Sequence, residues 1–337
     1  MKSSRNRAKQ SRLLVDTRWK GEHGIGRFAT EVVRRLSDGW APLAGHWSPT
    51  SPMDAANPYR AALSSRETVF SPGFNAGLSR ARQVLVLHDL IHLETKEESS
   101  VAKTVFYELI VRRAVRRAGI VMTVSDASAG AIRKWLGSPT VEIVVVGNGR
   151  SSDFAVHGPT HEFEHPTFVY VGNLKPHKNV DVILDAVKLR PDYRLVLVTA
   201  DVEEANRRVA ERGIGSQVEV STGVTDSTLA SIYRGASGVL QPSLLEGFGL
   251  PALEAMSCGT SVAYWAECES VVEICAGTGV VVANASDKSE WADALDRLNH
   301  GADAGPLEMP AEWNKLYDWD NVGRKVDKTL KRVQRRA

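Results

Sequence analysis

Residues 237–261 read SGVLQPSLLEGFGLPALEAMSCGTS. The first seven are an apolar run of strand length, the next six turn on two glycines, and a helical pattern starts at Leu250 with Pro251 suited to its first turn. In open α/β sheets ligands collect on such loops, at the carboxyl ends of the strands. Bare glycines at 247 and 249 let a ligand approach the backbone, and the N–H groups at a helix start attract anions. Two carboxylates, Glu246 and Glu254, flank this phosphate-ready turn. Glu254 has a plain structural alternative, because acids near a helix start are favoured by the helix dipole; Glu246 has a weaker one as a turn residue. Together they suit a ligand with hydroxyls beside phosphate, since carboxylates hold sugar hydroxyls by charge-assisted hydrogen bonds. A nucleotide sugar has both features.

Working outward, the same alternation recurs. RLLVD (12–16), QVLVLHD (83–89), IVMTVS (120–125) and VEIVVVG (141–147) predict strands in the first half. TFVYVG (167–172), YRLVLVT (193–199) and SVAYW (261–265) join residues 237–243 in the second. Near-continuous apolar runs fit strands covered on both faces of a parallel sheet, and NVDVILDAVKLR and DSTLASIYRGA carry helical spacing between them. The run VHGPTHEFEHP (156–166) has neither period and reads as a linker, which places domains at 1–163 and 164–318. Residues 319–337 read as a separate C-terminal helix with seven Lys+Arg against two acids, predicted to cross back to the N-terminal domain.

The 337 residues, 43% apolar and 24% charged, are ordinary for a globular chain of about two domains. No run approaches the roughly 20 apolar residues of a membrane helix, and the start MKSSRNRAKQSR lacks a signal-peptide core, so a cytoplasmic location is expected. Cys258, Cys268 and Cys275 form no CxxC and are odd in number, which predicts reduced structural thiols. The net charge of +2 hides an asymmetry: residues 1–163 hold 23 Lys+Arg against 15 Asp+Glu, the remainder 19 against 25. Arg112, Arg113, Arg116 and Arg117 concentrate the excess in SVAKTVFYELIVRRAVRRAG, either as a solvated helix end favoured by the dipole or as a face for an anionic membrane or phosphorylated acceptor. No nucleic-acid recognition motif accompanies these residues.

EGFGLPALE, with Glu246 and Glu254 separated by seven residues, resembles the glutamate motif of retaining family 4 glycosyltransferases of the GT-B fold. YVGNLKPHKNVDVILDAV (170–187) resembles the first strand and helix of that family's nucleotide-binding domain, and TGVTDSTLASIYRGASGVLQPS resembles the approach to the motif. GIGRFATEVVRRL, VLVLHD, TVSDASAGAIRKWLG and VVVGNG match the family in chain order. The resemblance implies an α/β chain of two Rossmann-like, doubly wound parallel-sheet domains facing across a cleft. It implies that Glu254 binds the donor ribose, that Glu246 lies at the donor sugar, and that the backbone of Phe248, Gly249 and Leu250 contacts sugar and diphosphate. Lys178 matches the family lysine that neutralises the diphosphate. Many relatives carry arginine where this chain has Asn173, so one cation is missing there; Lys175 compensates, or Lys178 acts alone.

In the first half, the resemblance places the glycine loop Gly24-Ile25-Gly26-Arg27 against the donor diphosphate. By itself G-I-G-R-F-A also matches a dinucleotide pattern, but the preceding strand ends eight residues too early and no acid stands about 20 residues beyond, which argues against a nicotinamide enzyme. His88 is implied as a donor-sugar contact, with Asp89 orienting its imidazole or the loop. A metal pair of His88 with His92 needs helical spacing, whereas His88 ends a strand; His157, His161 and His165 repeat that spacing across Gly158 and Pro159, which reads as a linker instead.

The implied reaction moves a hexose from a nucleotide diphosphate to an acceptor hydroxyl with retention, with no cofactor and no metal. GIGRF and GNLKPHKN resemble bacterial surface-polysaccharide mannosyltransferases, which points to GDP-mannose first and a UDP- or dTDP-sugar second. The acceptor is then a glycan or a lipid-diphosphate-linked glycan, met at the inner face of the plasma membrane by peripheral association. Two alternatives stand: a GT-B sugar-nucleotide epimerase or phosphorylase-like enzyme, and a non-catalytic sugar-nucleotide-binding module.

Overall fold

The computed structural model describes residues 11–21, 24–95, 100–302 and 305–335. These form two compact units, Met1–Gly149 with Lys315–Ala337, and Arg150–Asn314.

In the first unit β1 (Arg12–Val15), β2 (Trp40–Pro42), β3 (Glu67–Ser71) and β4 (Arg82–Leu85) form a parallel sheet in the order β2-β1-β3-β4. β5 (Ile120–Thr123) and β6 (Glu142–Val145) pair in parallel, and a bridge between Val86 and Met122 joins them to β4. The order reverses between β1 and β3, so the loops after these two strands meet at this unit's switch point. The helix Trp319–Arg335 packs on this unit: Gly323 lies against the Arg35 stem, Arg35 Nε donates to Asp320 at 2.7 Å, and Ser37 donates to Asp327.

In the second unit β7 (Thr167–Val171), β8 (Arg194–Val198), β9 (Val218–Ser221), β10 (Gly238–Gln241), β11 (Val262–Trp265) and β12 (Val280–Val282) form a parallel sheet. Its order, β12-β11-β10-β7-β8-β9, is the doubly wound dinucleotide-fold order, with the reversal between β7 and β10. The central strands β7, β8, β10 and β11 are buried on both faces, which is why they read as apolar runs: Phe168, Leu195, Leu197 and Leu240 pack with Ile183 and Trp291 from covering helices.

The boundary lies fourteen residues before the expected one at 163/164, because residues 150–163 are fastened to the second unit. The Phe154 and Tyr233 rings are 6.1 Å apart, Arg234 donates to the carbonyls of Ala155 and Pro159, and His161 N–H donates to Ser231. That unit ends at Asn314 rather than 318, where Arg150 donates to the Asn314 side chain at 3.1 Å. Residues 156–166 are irregular, as their lack of period suggested.

Candidate functional site

The reversal between β7 and β10 brings two loops together, 172–179 after β7 and 242–249 after β10. A backbone bond from Leu244 N–H to the His177 carbonyl, 2.7 Å, ties one to the other. The first loop is held from several sides. The Tyr170 hydroxyl donates to the Asn173 carbonyl at 2.7 Å, Leu174 N–H donates to Asp201 at 3.0 Å, and Arg208 donates to the Leu174 carbonyl. Burial, then the nearby charge of Glu246, pushes the Tyr170 phenol well above its usual range, so it remains a donor. Asn179 closes the loop in a left-handed conformation, φ 53°, with its amide on the Ala285 carbonyl.

Lys178, at the end of the short 3-10 turn Pro176–Lys178, reaches across to the second loop. Its Nζ donates to Glu246 Oε1 at 2.6 Å, and the two side chains are 17% and 10% exposed. The same oxygen accepts from Gln241 Nε2 and from Ser243 Oγ, each at 2.8 Å, and Ser270 Oγ holds the Glu246 carbonyl at 2.9 Å. Gln241, Ser243 and Ser270 escaped the sequence reading. The signal was present in Gln241 and Ser243, polar residues closing an otherwise apolar strand.

Beyond Glu246, Phe248 is buried and Gly249 takes φ 103°, capping the helix Leu250–Ser257 without a side chain. Glu254 sits in the second turn of that helix, past the first-turn position of the dipole alternative, and is 8% exposed. It lies beside the fully buried Tyr233, whose phenol is pushed well up by burial and by the Glu254 charge. The structure thus groups Lys178 with Glu246, while Glu254 joins Tyr233 and Cys258. Asn173 is exposed and its Oδ1 accepts from Lys175 N–H at 3.3 Å, so it shapes the turn. An open hollow of about 790 Å³ runs beside this loop, lined by Lys175, Asp201, Glu203 and Arg207 among others.

In the first unit His88 follows β4, half-buried. Its Nε2 lies 3.0 Å from the Pro72 carbonyl, its ring packs edge-on to Phe28 at 4.8 Å, and its own carbonyl accepts from Ser128. A carbonyl only accepts, so Nε2 carries the proton, and burial lowers the imidazole's pKa, which leaves Nδ1 as an acceptor. Asp89 accepts from Ile91 N–H at 3.1 Å and so holds the loop. Gly24 opens the helix Gly24–Val33, and a side chain at Gly26 would meet the Lys20 carbonyl at 2.5 Å, so Gly26 is bare for the chain's own packing. Among the described residues no group of three His, Cys, Asp or Glu is placed to hold a metal ion.

A doubly wound domain with a glycine-capped helix and a lysine at its switch point has the architecture shared by nucleotide-binding α/β proteins. Residues 157–315 match the family described as glycosyl transferases group 1. The chain is 25% identical over 253 residues to the O-antigen chain mannosyltransferase RfbU of Salmonella typhimurium, covering 74% of this chain and 69% of that one. Its fold matches the sucrose-phosphate synthase of Thermosynechococcus elongatus, TM-score 0.73 at 16% identity over 98% and 100% of the two chains. It also matches Anabaena HepE in complex with UDP-glucose, TM-score 0.70 at 17% identity over 95% and 99%. The fold is therefore GT-B, α/β with parallel sheets, and the hexosyltransferase class implied by the sequence stands.

Proposed function

We propose that the protein is a retaining, metal-independent glycosyltransferase of family 4. It moves a hexose, mannose from GDP-mannose in the first instance, to a glycan or lipid-diphosphate-linked acceptor of bacterial surface polysaccharide. The observation that carries this reading is the meeting of Lys178 and Glu246 at the β7/β10 switch point. There an ammonium stands ready for a leaving diphosphate and a carboxylate for sugar hydroxyls. Glycine-capped N–H groups beside them add donors for the same anion. The departing phosphate itself takes the acceptor's proton in this reading, so no separate general base is required. Mannose is favoured by the likeness to the O-antigen mannosyltransferase; a UDP-sugar is the runner-up, in view of the HepE complex.

Association with an anionic membrane surface is supported by one helical row. Val101, Val105, Leu109, Arg113 and Arg117 recur every four residues and all are exposed, apolar in the first three positions and cationic in the last two. A four-residue repeat drifts around a 3.6-residue helix, and the π-turn Tyr107–Val111 in mid-course winds more widely and offsets that drift. Arg112 is diverted, bound to Glu108 and the Trp135 carbonyl; Arg116 donates to the Leu136 carbonyl and Arg117 to the Ser79 carbonyl, while Arg117 stays in the exposed row. Of the four arginines, Arg113 and Arg117 are the two that continue the exposed apolar row. No helix among the described residues is long and apolar enough to cross a membrane.

A thermal-shift screen against GDP-, UDP-, dTDP- and ADP-sugars identifies the donor, because a ligand of the folded state raises its melting temperature. Glu246→Ala is then expected to lose transfer while the nucleotide-induced shift persists; full transfer in that variant overturns the reading. Donor turnover without acceptor points to an epimerase or phosphorylase. Binding without turnover points to the non-catalytic module, which the absence of a cation at Asn173 favours.

A further inference from the structure

Lys178 and Glu246 are assigned above to different parts of one ligand, the ammonium to its diphosphate and the carboxylate to its hydroxyls. In the protein alone each is the other's partner, 2.6 Å apart and largely shielded from water. The two sides of the pair are not equally held. Glu246 Oε1 receives three donors, Lys178 Nζ, Gln241 Nε2 and Ser243 Oγ, and Gln241 and Ser243 are 2% and 0% exposed. The Glu246 backbone is pinned by Ser270 as well. Lys178, by contrast, ends a flexible four-carbon stem. The carboxylate is the fixed member and the lysine the member able to turn.

We propose that Glu246 is the resident counter-ion of Lys178, an internal anion with which any incoming phosphate must compete. The proposal rests on the reading of Lys178 as the diphosphate cation. A bare diphosphate gains Lys178 only by weakening the internal pair and by lying beside a carboxylate of like charge. A sugar diphosphate meets the same opposition but offers hydroxyls to Glu246 in exchange, so the arrangement favours the complete donor over its nucleotide fragment. When the sugar has left, those hydroxyl contacts are gone and the pair re-forms, which expels the diphosphate product. Gln241 and Ser243 are then positioning residues that keep the carboxylate on the lysine rather than in solvent.

The test is isothermal titration of the full chain with inorganic pyrophosphate, GDP and UDP at low salt. Wild type is compared with Glu246→Gln, Lys178→Met and the double variant. Glu246→Gln is expected to bind pyrophosphate roughly five- to tenfold more tightly than wild type, the size of one half-buried ion pair. The double variant is expected to lose that gain and match Lys178→Met. Glu246→Ala provides a second removal of the charge should the glutamine variant fold poorly, and melting curves report folding for each. Pyrophosphate affinity in both Glu246 variants equal to or below wild type overturns the proposal, as does the absence of measurable binding in wild type and variants alike. If wild type and Lys178→Met bind equally, the assignment of Lys178 to the anion fails, and the proposal with it. A gain from Glu246→Gln that survives in the double variant also overturns it, because the carboxylate then opposes the anion without acting through the lysine.

Discussion

Replacing Gly249 by alanine probes the loop on which the donor reading depends. Gly249 has φ 103° and ψ 51°, and an added Cβ would lie 3.0 Å from Val271 Cγ2 and 3.4 Å from Ile274 Cδ1. Both neighbours are buried side chains of the helix Glu269–Cys275, so they yield little. The left-handed backbone costs an L-residue about 1–2 kcal/mol, and forcing a methyl into packed surroundings adds about 1–3 kcal/mol. Gly213 is the control. It also has positive φ, 67°, capping the helix Val202–Arg212, but its Cβ would meet nothing within 4 Å, so Gly213→Ala bears the backbone cost alone. Urea denaturation followed by circular dichroism is expected to give a lower midpoint for Gly249→Ala than for Gly213→Ala, with a similar slope. The nucleotide-induced thermal shift should disappear only in Gly249→Ala, since relief of the crowding moves the N–H groups of residues 248–250. Equal midpoints for the two variants, or an unchanged nucleotide shift in Gly249→Ala, refute the reasoning.

Two further predictions follow from the side chains. Replacing both Arg113 and Arg117 with alanine should lower partition onto phosphatidylglycerol vesicles about thirtyfold, at about 1 kcal/mol per arginine, whereas Arg112→Ala should not; equal binding to neutral vesicles contradicts this. Burial pushes the Cys258 and Cys268 thiols up to about 12 and Cys275 higher still, so at pH 8 only about one thiol in ten thousand is ionised. Ellman's reagent should leave the native chain untouched and react with all three cysteines in urea; fast labelling of the native chain contradicts the burial.

The α/β alternation was legible because strands buried on both faces must be apolar throughout, as TFVYV and RLVLV are. The strands that escaped notice lack that mark: WAP and VVV are three residues long, and ETVFS and VEVS carry acids. The unit boundary was misplaced for a different reason. A linker is recognised by its lack of period, but what assigns it to one unit is long-range contact, here Arg234 collecting carbonyls some 75 to 79 residues away. At the candidate site the motif announced Glu246 and Lys178 separately. Their contact, and the convergence of Gln241 and Ser243 on one oxygen, depends on loops 68 residues apart meeting at the sheet's reversal, which no local pattern encodes.

The first unit treats its own switch point in a similar way. Asp16 after β1, Asn75 after β3, and Arg18, Asp54 and Arg60 form a polar cluster, nearly all of it buried. Arg60 Nη2 lies 3.3 Å from both Asp16 and Asp54, its Nη1 donates to the Asn75 carbonyl, and Asn75 Nδ2 donates to Asp16 at 2.7 Å. Burial lowers the Arg60 pKa, with the two aspartates opposing, and its Nε has no partner among the described residues. Such an arrangement is a poor source of stability, since desolvating the ions costs about as much as their attraction returns. What ions and amides supply, and apolar packing does not, is direction: each bond fixes one loop atom against another. Asp16 and Asn75 sit on separate loops and Asp54 on the 3-10 turn Pro52–Ala56, and joining them sets the path of residues 16–21, from which the helix at Gly24 departs. In both units, therefore, the sheet is built mainly from apolar strands, while the loops at its reversal are held by charge.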